Sequence, residues 1–152
     1  VAVTQLFPAD KGDWAPASIL GPYAYSQTRD SHFSLPSKGS AEFNLSRGEA
    51  HIYNEANNNL QPGSIESGRL SVDFVERRFD TGLDIQANGQ AYEIQARGTV
   101  LKDGSLRSEL FESNATVIGG LGGLEGETAG YIFRRQIGPD TSLVGGTSWQ
   151  KH

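Results

Sequence analysis

Residues that could carry catalysis or bind a metal are few in this sequence and lie far apart. There is no Cys among the 152 residues, which excludes disulfide bonds, thiolate nucleophiles and cysteine-ligated metal centres. The three histidines are His32, His51 and His152, and none belongs to an HxH or HExxH pattern that would place two imidazoles on one metal ion. The sequence therefore predicts neither a metal site nor a cofactor.

Carboxylates are the other candidates for chemistry, because a pair of them can act as a general acid and a general base. Five occupy the polar positions of alternating segments: Asp73, Asp80, Asp84, Glu93 and Glu109. Side chains at such positions face water and share one environment, whereas acid–base catalysis needs two environments that separate the pKa values of the pair. No G-x-S-x-G motif offers a serine nucleophile. We expect a protein without enzymatic activity.

A glycine-rich run at 119–126, GGLGGLEG, invites comparison with phosphate-binding loops, in which backbone N–H groups surround an anion. No Lys-Ser or Lys-Thr follows it, and its glycine spacing differs from that of the dinucleotide-binding motif. Glu125 and Glu127 would also repel an anion. We interpret the run as a flexible connection between two strands.

Composition and charge place the chain among folded, turn-rich proteins. The 13 basic and 18 acidic residues give a net charge of −5, which is the wrong sign for a nucleic-acid partner. Gly supplies 19 of the 152 residues, well above the usual share of about 7%. No apolar run approaches the roughly 18 residues of a spanning helix. Since the chain begins with Val1, we expect a processed product or one domain of a longer protein.

The elements that must position these residues are β-strands. From residue 40 onward, alternating apolar and polar runs are separated by turn signals, among them Asn88-Gly89 and Asp103-Gly104. Eight such runs lie at 40–45, 69–74, 79–85, 92–98, 106–110, 115–121, 128–134 and 143–149, with a further short run at 50–53 and a loop at 54–63. Strands with one apolar face hide that face by closing on themselves. The sequence therefore predicts an all-β fold, with residues 40–152 forming an eight-stranded antiparallel up-and-down β-barrel.

The alternation also predicts which side chains fill the barrel. The predicted core is Phe43, Leu70, Val72, Phe74, Phe79, Leu83, Ile85, Tyr92, Ile94, Leu106 and Leu110, with Tyr131 in the same core. Water should contact Asp73, Asp80, Asp84 and Arg97. Small residues at Ala96, Gly98, Ala115 and Gly119 would line an emptier end if the barrel carried a ligand.

A small outer-membrane barrel is an alternative with the same alternation and a similar length. Its strands need about 9–11 residues to cross the hydrocarbon, whereas the predicted runs are about six to eight residues long. Aromatic residues also do not recur at both ends of the runs, as membrane-interface girdles would require. We therefore expect no membrane insertion.

Residues 1–39 have a different character from the barrel. They contain four of the six prolines and several aromatic residues but show little alternation, which predicts an irregular N-terminal arm. The arm must pack across a barrel mouth or along the outer wall. It acts either as a plug or as a recognition surface, and we expect Trp14 to be buried and Tyr23 and Tyr25 to be partly exposed. The candidate partner- or ligand-binding residues are Tyr23, Tyr25 and His32.

Several stretches together resemble a known barrel. They are SGRLSVDF at 67–74 with a return strand from Arg78, RGTV at 97–100 before a Lys-Asp-Gly turn, and EGETAGYIF at 125–133. This order resembles the C-terminal β-barrel module of bacterial FecR-domain-type envelope proteins, which is similar to the barrel of transferrin-binding-protein-B-like surface lipoproteins. The resemblance covers roughly residues 35 to 149.

The resemblance implies a periplasmic or cell-surface location in a Gram-negative envelope and brings no catalytic residues with it. The lipid-attachment Cys and a FecR sensor domain are not found in this sequence, so signalling and transferrin binding are not carried over. The expected function is therefore a non-enzymatic module that contacts a protein partner in the envelope or the rest of a larger parent chain. A lipocalin-like carrier of a small apolar ligand is the alternative.

Overall fold

The computed structural model describes residues 34–123 and 125–152, together with the backbone of four short strands nearer the N-terminus. Those four strands are β1 (Asp13–Trp14), β2 (Ser18–Leu20), β3 (Tyr23–Tyr25) and β4 (Thr28–Arg29). The remaining strands are β5 (Ser40–Asn54), β6 (Asn59–Asp73), β7 (Arg78–Ala87), β8 (Gln90–Val100), β9 (Ser105–Ser108), β10 (Thr116–Gly122), β11 (Thr128–Gly138) and β12 (Thr141–Lys151). A single 3-10 turn, Leu110–Glu112, lies between β9 and β10.

Strands β5 to β12 form a closed barrel in which every neighbouring pair is antiparallel. Each strand pairs with the next along the chain, and β12 pairs with β5 to close the ring. Phe43 is the cross-strand partner of Lys151 at one end of this last ladder, and Asn54 is the partner of Thr141 at the other end. The predicted eight-stranded antiparallel up-and-down barrel is confirmed.

Two strands are much longer than the sequence predicted. The runs at 40–45 and 50–53 belong to one strand, β5, and the predicted loop at 54–63 is reduced to residues 55–58 because β6 begins at Asn59. Pro62 and Gly63 interrupt the side-chain pattern, yet the backbone ladder continues through them opposite His51 and Ala50. The predicted run length of about six to eight residues was wrong for these two strands, which have 15 residues each, so strand length does not exclude a membrane barrel.

The direction in which side chains point distinguishes this barrel from a membrane barrel. Phe74, Phe79, Leu83, Ile94 and Tyr131 are all buried in one cluster, as predicted. The predicted outward residues lie on the other face, where Asp73, Asp84 and Arg97 are exposed and Asp80 is half-buried. An apolar interior with a charged outer wall is the reverse of the lipid-facing pattern of a membrane barrel. No helical segment in the described ranges has the length and apolarity to span a bilayer.

Two members of the predicted core lie elsewhere. Leu110 is 81% exposed because β9 ends at Ser108 and the chain then leaves the wall in the 3-10 turn. Tyr92 is only half-buried, since its position near the start of β8 places it at the barrel mouth. The other ten predicted core residues are buried.

The middle of the barrel holds a satisfied polar network. Thr81 donates its hydroxyl proton to the carbonyl of Arg69 at 2.8 Å, so the Tyr131 hydroxyl donates to Thr81 Oγ1 at 2.7 Å. Trp149 Nε1 donates to Thr147 Oγ1 at 2.7 Å, and the Trp149 ring stacks on Tyr131 with centroids 5.8 Å apart. Burial raises the pKa of Tyr131 well above its ordinary value. The central layer is therefore filled by neutral groups that bond to one another.

Glycine positions that were expected to leave room for a ligand instead bring strands together. A Cβ on Gly98 would lie 1.9 Å from the Arg107 carbonyl oxygen, and one on Gly119 would lie 2.1 Å from that of Gly130. Ala96 is buried in the core cluster. The expectation of an emptier end around these residues was wrong, because the missing side-chain volume is occupied by neighbouring backbone.

Two of the short N-terminal strands approach the barrel. Strand β2 pairs with β3 and β1 with β4, and the Cα traces of β2 and β3 approach β11, while β3 also approaches β12. Strand alternation points Ile132 and Val144 outward, yet both are fully buried and neither belongs to the core cluster. Strands β11 and β12 therefore also have buried apolar side chains on the outer face of the barrel. The side chain of Trp14 lies outside the described residues.

Candidate functional site

The three predicted binding residues are placed only in part. Tyr23 and Tyr25 are the ends of β3, whose backbone lies near β11 and β12. Their side chains, and all of His32, lie outside the described residues. The described histidines are apart: His51 is half-buried on the outer wall of β5, and His152 follows β12 with its Nδ1 at 3.4 Å from Nδ2 of Asn44. Among the described residues, no three His, Asp or Glu side chains gather as a metal site would require.

The barrel has one closed end, where the chain enters. Leu35 packs against the core there, and its methyl group lies near Gly126 of the β10–β11 turn. Gly39 turns the chain into β5 with a φ of +86°, and its carbonyl accepts the N–H of buried Phe74 at 3.0 Å. The segment 34–39 therefore covers the end at which β5 begins and β6 ends.

The opposite end, which we call the mouth, is open and holds a cavity of about 310 Å³. Its lining is Ile52, Asn54, Asn59, Gln61, Asn88, Tyr92, Ile137, Gly138 and Thr141. Thr141, Asn54 and Asn59 are consecutive cross-strand partners on β12, β5 and β6, so they form one row of hydrogen-bonding side chains. Ile52, Ile137 and the Tyr92 ring provide apolar surface beside that row. All of the side chains that line the cavity are uncharged.

The loops around the mouth are fixed by hydrogen bonds. The N–H of Glu55 donates to the Asp140 carbonyl at 2.8 Å, which joins the β5–β6 and β11–β12 turns. Asn54 Oδ1 accepts the N–H of Ala56 at 3.0 Å, and Tyr53 donates its hydroxyl proton to Asn58 Oδ1 at 2.7 Å. These hydrogen bonds within and between the loops hold the mouth in its shape.

The mouth was not predicted from the sequence, although the sequence carries one signal of it. The stretch 54–61 carries five carboxamide side chains, Asn54, Asn57, Asn58, Asn59 and Gln61, within the predicted loop 54–63. Only the register of three neighbouring strands shows which of these carboxamides line the cavity.

A second feature lies on the outer wall: a 3-10 turn that presents two apolar side chains and is held by two ion pairs. Phe111 is 98% exposed and Leu110 is exposed beside it. The Arg78 guanidinium, at the start of β7, donates to Glu109 Oε1 at 2.8 Å and to Glu112 Oε2 at 2.5 Å. These two ion pairs hold both ends of the 3-10 turn against the wall. We call the residues 109–112 the tethered turn.

The charges of the tethered turn influence one another. The side-chain hydrogen bond with Glu112, followed by that from Arg78, holds the pKa of Glu109 below its usual value of 4.5. Thr99 Oγ1 also donates to Glu109, at 3.2 Å. In turn, the hydrogen bonds to Glu109 and Glu112 raise the pKa of Arg78. The tether is therefore strongest when Glu109 is ionised.

Two of the other candidate carboxylates, Asp80 and Asp84, form contacts on the outer wall. Asp80 bridges two guanidinium groups, accepting from Arg69 Nη1 at 2.6 Å and from Arg97 Nε at 2.9 Å. Asp84 accepts the hydroxyl proton of Ser67 at 2.8 Å. These contacts cross neighbouring strands, so both carboxylates stabilise the wall.

Comparison with known proteins gives structural likeness alone. The sequence matches no protein-family model, and no curated protein matches it. A double mutant of the vaccine antigen transferrin-binding protein B from Haemophilus parasuis is similar in structure, with a TM-score of 0.57 and 16% identity over 83% of this chain. A surface lipoprotein matches with a TM-score of 0.54 and 13% identity over 85% of this chain. Transferrin-binding protein B of serogroup B Neisseria meningitidis matches with a TM-score of 0.51 and 15% identity over 84%.

The share of each matched protein's length that this chain covers differs widely. The chain spans 28% of the Haemophilus protein and 29% of the Neisseria protein, but 68% of the surface lipoprotein. Identities of 13% to 16% carry information about fold alone. The predicted similarity to transferrin-binding-protein-B-like barrels is confirmed at that level. This chain therefore has the β-barrel fold of transferrin-binding-protein-B-like surface lipoproteins.

Proposed function

We propose that this protein is a non-enzymatic β-barrel module of a bacterial cell-envelope protein and that it acts through protein–protein contacts. The shared barrel fold of surface lipoproteins supports this, and two of the matched proteins are by name transferrin-binding. A periplasmic or cell-surface location in a Gram-negative envelope, and a FecR-type parent chain, are the finer parts of the same proposal.

The tethered turn is the observation that carries the proposal. An aromatic ring that is 98% exposed contributes almost nothing to the stability of the fold. Here two ion pairs from Arg78 fix the backbone that carries Phe111, so little conformational freedom is lost when a partner binds. Aromatic side chains presented in this way are typical anchors of protein interfaces. We assign Phe111, with Leu110, as the anchor.

Site-specific photo-crosslinking within the native polypeptide and its source bacterium tests this function. A photoreactive phenylalanine analogue at position 111 should yield one discrete protein adduct, identified by mass spectrometry. The same analogue at Asn44, exposed on β5, is the matched control and should yield none. Equal adducts at both positions, or no adduct at 111, would contradict the proposal.

A second variant separates binding from folding. Phe111→Ser should abolish the interaction with the crosslinked partner, because the anchor is lost. Since Phe111 is almost wholly exposed, the free energy of unfolding should change by no more than about 0.5 kcal/mol. A variant that binds the partner as tightly as the wild type would exclude the tethered turn as the contact surface.

The arm has a place in the same proposal. We propose that residues 1–39 pack on the barrel 40–152, which the approach of β2 and β3 to β11 and β12 supports. Tyr23, Tyr25 and His32 are then proposed as a second contact for the partner. Substituting both tyrosines by Ser should weaken partner binding without unfolding the barrel, as followed by near-ultraviolet circular dichroism. Unchanged binding would remove the arm from the interface.

A further inference from the structure

We propose that the mouth cavity is a binding site for a neutral, hydroxyl-rich ligand, namely one sugar residue, either free or at the end of a glycan. This site goes beyond the proposed protein contact, since it lies at the mouth and the tethered turn lies on the wall. The cavity volume of about 310 Å³ is at the lower end of small-molecule sites, which suits one ring better than an extended ligand.

The absence of charge in the lining argues against ionic ligands. Every lining side chain is uncharged. A bound carboxylate, phosphate or ammonium group would lose hydration without gaining an ionic partner, which is costly. The ligand class that fits is therefore neutral.

The polar row argues against a purely apolar ligand. Covering Thr141, Asn54 and Asn59 with hydrocarbon would remove water from their hydrogen-bonding groups and replace it with nothing. Each carboxamide offers both a donor and an acceptor, as a sugar hydroxyl does. Asn54 uses its Oδ1 for the N–H of Ala56, so its Nδ2 group is the part that remains to donate to a ligand.

The apolar part of the cavity completes the match. Ile52, Ile137 and the Tyr92 ring form a surface next to the polar row, and a sugar ring has an apolar C–H face beside its hydroxyl groups. Tyr92 donates its hydroxyl proton to Gln90 Oε1 at 2.7 Å, which orients the phenol so that its oxygen can accept from the ligand. Because the mouth loops are already bonded to one another, binding requires little ordering of the protein.

Titration of the 15N-labelled protein with four probes, followed by amide chemical shifts, tests the site. N-acetylglucosamine and its β-linked trimer should shift signals at 52–61, 88–92 and 137–141, with a dissociation constant on the order of 1 mM for the monosaccharide. Tighter binding of the trimer would identify a glycan end as the source, and equal binding a free sugar. Glucuronate and decanoate are the charged and the apolar probe.

Two matched variants complete the test. Asn59→Leu removes a carboxamide from the polar row and should weaken sugar binding about 10-fold, whereas Asn44→Leu on the outer wall should leave it unchanged. The proposal is overturned if neither neutral saccharide shifts the mouth signals, or if glucuronate or decanoate binds there more tightly. Neither result would affect the crosslink expected at Phe111, so the two proposals fail independently.

Discussion

Asn114 takes the place of a strand partner for Gln95. Its backbone N–H donates to the Gln95 carbonyl at 2.9 Å, and its side-chain Oδ1 accepts the Gln95 N–H at 2.9 Å. Asn114 Nδ2 also donates to the Glu93 carbonyl at 2.9 Å, and Arg135 Nη1 donates to the same oxygen at 2.7 Å. Because β9 is only four residues long, side chains close the wall between β8 and β11 where the backbone ladder stops.

Asn114→Ala should therefore loosen this part of the wall. The variant loses two side-chain hydrogen bonds, so the free energy of unfolding should fall by about 1–2 kcal/mol in denaturant titrations. Hydrogen exchange at the Gln95 amide should become faster because its acceptor is gone. Asn44→Ala on β5 is the control, and exchange at Gln95 that is equally slow in both variants would show that the wall does not depend on Asn114.

Two glycine substitutions should differ sharply in cost. In Gly119→Ala the new methyl group meets the Gly130 carbonyl at 2.1 Å and Tyr131 Cβ at 2.4 Å, so β10 and β11 must separate. We expect a loss of about 3 kcal/mol or more. In Gly82→Ala the nearest atom is the flexible Arg69 guanidinium at 3.1 Å, and a change within about 0.5 kcal/mol is expected. Thermal unfolding that is equal for both variants would contradict the close approach at Gly119.

Phe79 and Asp80 test the inside and outside of β7. Phe79→Ala removes a ring that is 2% exposed in the core and should cost about 3–5 kcal/mol. Asp80→Ala should cost about 1 kcal/mol at most, because its two ion pairs with Arg69 and Arg97 are in contact with water. Chemical denaturation of both variants gives the comparison, and equal losses would contradict the assignment of the inner and outer faces.

Acid should release the tethered turn. The pKa of Glu109 is lower in the folded protein than its usual value of 4.5, so the unfolded chain binds more protons in that range. The stability that Glu109 contributes is present above about pH 4.5 and is lost as the pH falls through the lowered pKa. Glu109→Gln should lower the melting temperature at neutral pH, and the difference from wild type should shrink in acid. A difference that is constant with pH would show that ionisation of Glu109 does not stabilise the turn.

The sequence predicted the barrel because local and global signals agree along most of it. The turn at Asn88-Gly89 needs two residues with positive φ, and the structure has φ values of 52° and 75° there. Gly104 likewise has a φ of 89°. The side chains between such turns alternate with period two, which fixes their face once the strand is fixed.

Prediction failed where backbone and side-chain patterns separate. At Pro62 and Gly63 the backbone ladder continues although the side chains stop alternating. The sequence pattern therefore predicts a loop where the structure has a strand. At Leu110 the side-chain pattern continues although the ladder has ended, and an exposed residue was assigned to the core. The mouth was missed for a third reason: its polar row joins residues from β5, β6 and β12 that only the register brings together.

The pairing of the first and last barrel strands has a consequence for how the module is displayed. Residue 43 lies beside residue 151, and the N–H of His152 donates to the Glu42 carbonyl at 3.0 Å. Polypeptide that leads into the barrel and polypeptide that leaves it are thus joined at one pole, the pole that Leu35 covers. A domain or linker attached after residue 152 would therefore tether the barrel by that pole, and the opposite pole with its cavity would point away from the attachment.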